Sequence, residues 1–300
     1  MTSISEPTTR EWIDSLVAPG MLLVWAMSYY VKVNLEAVFK RGQVLAPLLQ
    51  ASRLRDEAFG KFWVQFSSNR QEAVKNAQSS PDQTNMQPQI QSSSDLIPPI
   101  LAHTSGIVLD VGPGSGTQMP LLRSPAIKSI YGAEPCHGLH EELRARAESE
   151  GLGAKYHILP CSVVGSELGP ALRKQGLDED HGVFDTIICV RVLCSVPHLQ
   201  QTVNELYALL RPGGKLLIAE HVVNPWRTPK GSIVARALQT VYGVLGWSWV
   251  MGDCRLNRDT EKALRAAGEW ESIDLDHWFG HSPWPYIAGV LVKNSSVYIP

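Results

Sequence analysis

Ile107-Val-Leu-Asp110-Val-Gly112-Pro-Gly114-Ser-Gly116-Thr117 is the stretch on which the reading of the fold turns. An apolar, β-branched run, IVLDV, stops at three glycines in alternate positions, with Pro113 stiffening the loop. Such a run bounded by glycine reads as a buried strand. Glycines directly behind a strand let the chain turn sharply and let a ligand come close to the backbone. The dinucleotide fingerprint is G-x-G-x-x-G, and Thr117 stands where its third glycine would fall. The pattern is instead D-x-G-x-G-x-G, which disfavours a nicotinamide oxidoreductase. Beyond the loop, Glu134 ends a second short strand and is followed by Pro135. An acid there is placed to accept hydrogen bonds from two ribose hydroxyls. Loop and acid together predict a nucleoside site at the carboxyl ends of the first two strands.

Outward from this stretch, candidate strands recur at 107–111, 129–133, 155–159, 184–190, 215–221, 270–275 and 286–292. Helical patterns separate the first five, notably His137–Glu150 and Leu199–Leu210. Alternating strands and helices predict a parallel, doubly wound α/β sheet. The loop HWFGHSPWP is too short for a crossover helix, so the last two strands are expected to pair antiparallel. The expected fold is a Rossmann-like seven-stranded sheet with a C-terminal antiparallel hairpin and an N-terminal helical cap. Residues 76–95 are almost all Gln, Ser, Asn and Pro and read as a flexible linker. That divides the chain into a cap or membrane-interface segment (1–75), the linker (76–95) and a catalytic domain (96–300).

The N-terminal run Leu16–Val31 is uncharged but short for a membrane crossing, and Pro19 and Gly20 lie near its start. No basic region precedes it, so a signal peptide is not expected. Two readings stay open. One is a helix packed over the main domain; the other is a helix at a membrane interface through residues 12–41, with Trp25, Tyr29 and Tyr30 at headgroup level. A second helical stretch, Leu45–Lys75, carries Phe59, Phe62, Trp63 and Phe66.

Across 300 residues, 27 basic and 29 acidic side chains leave a formal charge of −2, which argues against nucleic acid as a partner. Five scattered cysteines form neither a CxxC pair nor a metal-ligand spacing, so reduced thiols, a cytoplasmic setting and no metal are expected. Six of the nine tryptophans follow residue 225.

LDVGPGSG, YGAEP, FDTIICVRVLCSV and LLRPGGKLLIAEH resemble, in order and spacing, the motifs of class I S-adenosylmethionine (SAM) dependent methyltransferases. VLCSV, EHV and GDCRLNRDTEKALRAAG are similar to stretches of the methyltransferase-like group that includes membrane-associated alkyl thiol methyltransferases. The resemblance implies SAM as cofactor and S-adenosylhomocysteine as product. It implies that Asp110, Gly112, Pro113, Gly114 and Gly116 hold the amino-acid end of SAM, and that Glu134 and Pro135 lie at its ribose. Cys161 and Ser162 would border the adenine, Val190 and Arg191 would lie under the methionine part, and Phe66 would close over the cofactor. In this fold the segments holding Trp226, Trp247, Trp249, Trp278 and Trp284 roof the acceptor site, and aromatics there suit a bulky apolar molecule.

The expected reaction is methyl transfer to the thiol or hydroxyl of a small hydrophobic molecule, a secondary metabolite or a xenobiotic. A phenol would benefit from a base; His221, His198 and Asp253 are the candidates, with Cys194 read as a small core residue. The alternative is a SAM-binding fold that steers a pericyclase-like cyclisation without methyl transfer. Localisation is expected to be cytoplasmic or peripheral to an intracellular membrane.

Overall fold

The computed structural model describes residues 7–78, 90–177 and 182–295. Seven strands form one sheet: β1 (Gly106–Val111), β2 (Ile127–Ala133), β3 (Tyr156–Leu159), β4 (Phe184–Val190), β5 (Leu210–His221), β6 (Trp270–Trp278) and β7 (Tyr286–Lys293). Their order is β3-β2-β1-β4-β5-β7-β6. β1 to β5 run parallel, while β7 pairs antiparallel with both β5 and β6. The expected hairpin is therefore present, and its strands extend to Trp278 and Lys293.

Side-chain alternation sends neighbouring residues of the inner strands to opposite faces. Leu109, Ile187 and Ile218 join one core, covered by α6 (Gly165–Lys174), α7 (Leu199–Leu209) and α10 (Thr260–Arg265). Val108, Ile188 and Leu217 join the other, with α4 (Ile97–Leu101) and α5 (His140–Ser149). Both faces are buried, which is why these strands read as continuous apolar runs. One expectation changes. Between β1 and β2 the chain makes turns and one 3-10 turn, Met119–Leu121, in place of a crossover helix. Arg211–Gly214 forms a bulge inside β5, where Phe184 pairs with Leu210 and Thr186 already with Lys215.

α1 (Thr9–Leu35) starts at a Thr8/Glu11 capping box and runs through Pro19. A short α2 (Ala46–Leu49) leads into α3 (Ala51–Gln78). Leu16, Pro19, Leu23, Ala26 and Val33 form the inward stripe of α1 at helical spacing. Trp25 meets Phe62 edge-on at 5.3 Å and Tyr29 meets Phe62 at 6.0 Å, so these aromatics turn into the cap. Of the aromatics expected at headgroup level, Trp25, Tyr29 and Tyr30 are half-buried, and the most exposed apolar residues of α1 are Met21 and Val24. Gly20 leaves room for Tyr242 of α8 (Ile233–Val244), whose hydroxyl donates to the Leu16 carbonyl at 2.7 Å.

Most of the expected linker, residues 79–89, lies outside the described residues. Its ends depart from a free tether. Positions 76–78 finish α3, and Asp95 accepts hydrogen bonds from the backbone of Gln91 and Ser92, at 3.0 and 2.7 Å.

Candidate functional site

Gly112, Gly114 and Gly116 take φ values of 57°, 61° and 75°, a region that strains any residue with a Cβ. The resulting loop curls over the end of β1 and brings the Gly114 N–H to Glu134 Oε2 at 2.9 Å. Glu134 Oε1 accepts from Cys136 N at 2.8 Å, so the carboxylate is fixed from both sides. Beneath it, Asp110 accepts from the Tyr156 hydroxyl at 2.8 Å across Gly132; a Cβ on Gly132 would lie 2.6 Å from that hydroxyl.

Asp110 and Glu134 are only 4% and 5% exposed. Burial, reinforced by the Glu134 charge, pushes the Asp110 pKa up to about 6 against the pull of the Tyr156 hydroxyl. Burial also raises Glu134, offset in part by its two backbone donors. Two adjoining acids in a dry site favour a cationic ligand and repel a pyrophosphate. No α-helix opens behind the glycine loop to offer its N-terminus to phosphate, the arrangement a dinucleotide fold uses.

The cap closes on this loop. A Cβ on Gly114 would stand 2.8 Å from Trp63 Nε1, and Ser115 donates its hydroxyl to Ser67 at 2.8 Å. Phe66, the aromatic expected to close over the cofactor, packs on Trp25, Phe62 and Trp63, and Trp63, one turn earlier on α3, stands against the loop. Pro113 is half-buried in the loop and Pro135 is exposed past β2. Cys161 is buried just after β3, and Ser162 N donates to Glu167 at 2.9 Å.

At the end of β4, Val190 is half-buried and Arg191 adopts φ 58°. The Arg191 guanidinium reaches away to Ser93 and Ser94 at 3.0 and 3.3 Å, which leaves its main chain at the sheet end. Glu220, fully buried on β5, accepts from Val192 N and Leu193 N at 2.8 and 3.0 Å and so shapes this turn. Glu220 and Tyr156 were not picked out from the sequence; a lone acid inside an apolar strand was the available signal for Glu220.

The candidate bases do not converge. His198 is exposed at the start of α7. Asp253 is exposed and holds Arg55 through two contacts of 3.0 and 3.2 Å. His221 is buried, with Nε2 3.1 Å from Cys254 Sγ.

Of the tryptophans, Trp247, in α9 (Trp247–Val250), is buried and meets the half-buried Trp284 edge-on at 5.3 Å. Both adjoin the cluster holding Trp25, Phe59, Phe62, Trp63 and Phe66, so cap and core together line one aromatic interior. The Trp284 indole N–H is buried without a partner. Trp226 and Trp249 are each 40% exposed, under Arg227 and Arg55 respectively, and Trp278 belongs to the core behind the sheet.

A sheet of this order, with its last strand antiparallel and two buried acids under a glycine loop over β1 and β2, is the frame of a Rossmann-like methyltransferase. The chain belongs to the methyltransferase-domain family, whose model matches residues 83–287, and SAM is the cofactor of this class. Human thiol S-methyltransferase TMT1B is 34% identical over 116 residues, covering 37% of this chain and 45% of the relative. A phosphatidylethanolamine N-methyltransferase of Cereibacter sphaeroides is 26% identical over 144 residues, covering 47% and 63%. The match to the human relative thus spans less than half of that protein's length. The solved structure of an O-methyltransferase family protein from Burkholderia thailandensis superposes with a TM-score of 0.50 at 16% identity, covering 82% of this chain and 60% of that one, a likeness of fold.

Proposed function

We propose that the protein transfers the methyl group of SAM to the sulfur of a small hydrophobic thiol. One observation carries the choice of thiol: of the candidate bases, His198 and Asp253 are exposed, Asp253 on Arg55, and His221 faces a cysteine sulfur through Nε2. A hydroxyl acceptor gains from a base directed at it. A thiol of ordinary pKa, about 8.5, supplies a few per cent thiolate at neutral pH without one. The thiol S-methyltransferase among the relatives supports the same reading.

In this account Asp110 and the glycine loop bind the amino-acid end of SAM, and Glu134 the ribose diol. Cys161 and Ser162 border the adenine, and Val190 and Arg191 lie under the methionine. The sulfonium is already an activated electrophile, so the chain's contribution is alignment in a water-poor interior. The thiolate attacks the methyl carbon, and the breaking C–S bond returns its electron pair to the sulfonium sulfur. Purified protein with SAM is expected to convert benzyl mercaptan to its methyl thioether with an equal amount of S-adenosylhomocysteine, and to leave benzyl alcohol and phenol largely untouched. Preferential methylation of phenol would overturn the thiol assignment; acceptor turnover without S-adenosylhomocysteine would point to the cyclisation reading.

SAM binding is expected to weaken as pH falls from 7.5 to 5.5. The Asp110 pKa of about 6 in the free protein makes it a carboxylate above that pH and neutral below it. A cationic ligand favours the carboxylate, so affinity drops on the acid side by up to about tenfold per unit. Titration calorimetry at several pH values checks this; a flat profile would remove Asp110 from the site.

We also infer that the outward face of the cap rests on a membrane surface. Met21, Val24, Val31, Leu35, Phe39, Leu48 and Leu49 are exposed, and Val244 and Leu245 extend the apolar area from α8. Lys32 and Lys40 are exposed beside them, while Arg41 is paired with Glu57. An apolar face this large with basic neighbours matches an interfacial helix. The double variant Leu48→Glu, Val244→Glu is expected to lose most partition onto anionic liposomes while keeping its melting temperature. Unchanged partition would contradict the inference.

A further inference from the structure

Three side chains from separate parts of the chain meet beneath the aromatic interior. Cys194 comes from the turn after β4, His221 is the last residue of β5, and Cys254 follows α9. All three are buried, and their donor atoms lie within 4.8 Å of one another. We propose that Cys194, His221 and Cys254 bind one zinc-class divalent ion, whose fourth position takes the sulfur of the acceptor.

The donor set argues for the type of ion. Two sulfurs and an imidazole nitrogen, with no oxygen ligand, select a soft or borderline metal such as zinc over magnesium or calcium. Zinc bond lengths of roughly 2.3 Å to sulfur and 2.0–2.1 Å to nitrogen place tetrahedral ligands about 3.5–3.8 Å apart. The observed His221 Nε2 to Cys254 Sγ separation is 3.1 Å, so small side-chain rotations reach that geometry.

The surroundings fit as well. Two thiolates and a neutral histidine cancel a doubly positive ion, which suits a site among Leu23, Phe62, Val250 and Met251. The Trp247 indole donates to Cys254 Sγ at 3.2 Å, the kind of outer hydrogen bond that orients a thiolate ligand. Without an ion the buried His221 Nε2 faces cysteine sulfur, a weak hydrogen-bond partner for a buried imidazole nitrogen.

Among the described residues no fourth Cys, His or carboxylate completes the set. Three protein ligands and one open position are the pattern of a reactive zinc site. Cys194 follows the end of β4, where Arg191 is assigned to the methyl donor, and we place the open position toward that strand end. This assignment of the fourth ligand rests on the thiol reading above. An acceptor RSH binding there releases its proton to solvent and becomes a metal-bound thiolate. Its sulfur forms the new S–CH3 bond as the methyl–sulfonium bond breaks, giving neutral S-adenosylhomocysteine and a thioether, a weaker ligand that leaves.

Metal content and cobalt spectroscopy test the proposal on the full chain, chelator-stripped and kept under a phosphine reductant. One cobalt ion per chain is expected, with thiolate-to-cobalt charge-transfer bands that change on adding benzyl mercaptan and not benzyl alcohol. Cys194→Ser and Cys254→Ser are expected to weaken cobalt binding by roughly 100-fold or more while still binding S-adenosylhomocysteine, which certifies their fold. No stoichiometric uptake by the wild type, or a spectrum indifferent to the thiol, would overturn the proposal. Full methylation of the thiol by metal-free enzyme would overturn it and leave the thiol function standing. A thiol-responsive spectrum without methyl transfer would support the ion site and count against the function.

Discussion

Glu134→Ala is expected to weaken binding of SAM and S-adenosylhomocysteine by roughly 100-fold or more. A hydrogen bond to a charged group contributes about 1.5–3 kcal/mol, and Glu134 is assigned two from the ribose. About 3 kcal/mol corresponds to a little over two powers of ten in Kd. The loss has a second source, because the same carboxylate fixes the Gly114 and Cys136 N–H groups. Glu134→Gln tests the division between shape and charge. Its amide keeps one acceptor but turns an NH2 toward a backbone donor, so it is expected to fall between alanine and wild type. Calorimetry with S-adenosylhomocysteine reads both. A Glu134→Ala affinity within threefold of wild type would remove this residue from the nucleoside site.

Phe62→Ala is expected to give the largest loss of stability of any single substitution in the cap. Phe62 is fully buried and touches Trp25, Tyr29 and Phe66, rings that no other residue replaces if it is cut back. Truncating a buried Phe costs about 3–5 kcal/mol, in proportion to the cavity left. At roughly 2–4 °C per kcal/mol for a chain of this size, the melting temperature should fall by about 6–20 °C. The same cavity opens the interior to water, so kcat on a thiol acceptor is expected to drop along with Tm. A melting temperature within 1 °C of wild type would show that α1 and α3 do not pack through this residue.

The sheet was legible because its physics is local. Each inner strand is an apolar run long enough to bury both faces, and β4 was read to the residue at 184–190. The glycine loop was legible for a similar reason: three alternate glycines behind a strand imply positive φ, and all three have it. What closes over the loop was harder to read. Phe59, Phe62, Trp63 and Phe66 share one helical stripe, and choosing among them needs the rotation of α3 against the sheet, which sequence spacing does not encode.

The Cys194–His221–Cys254 group was invisible for the opposite reason. Its members stand 27 and 33 residues apart, far from any short metal-ligand spacing. Pairing of β4 with β5 brings the first two near each other, but Cys254 arrives by a turn after α9 that no periodicity marks. Asp253 was the alternative acid, and His221 looked like a base because it ends the fifth strand. The fold turns one outward to Arg55 and the other inward to sulfur.

Methyl-labelled SAM tests the central claim most directly. Incubated with the purified full chain and benzyl mercaptan, it is predicted to deliver the label to the thioether sulfur in one-to-one yield with S-adenosylhomocysteine. Thiol left unlabelled while S-adenosylhomocysteine stays absent, under conditions where calorimetry shows SAM bound, would contradict the account.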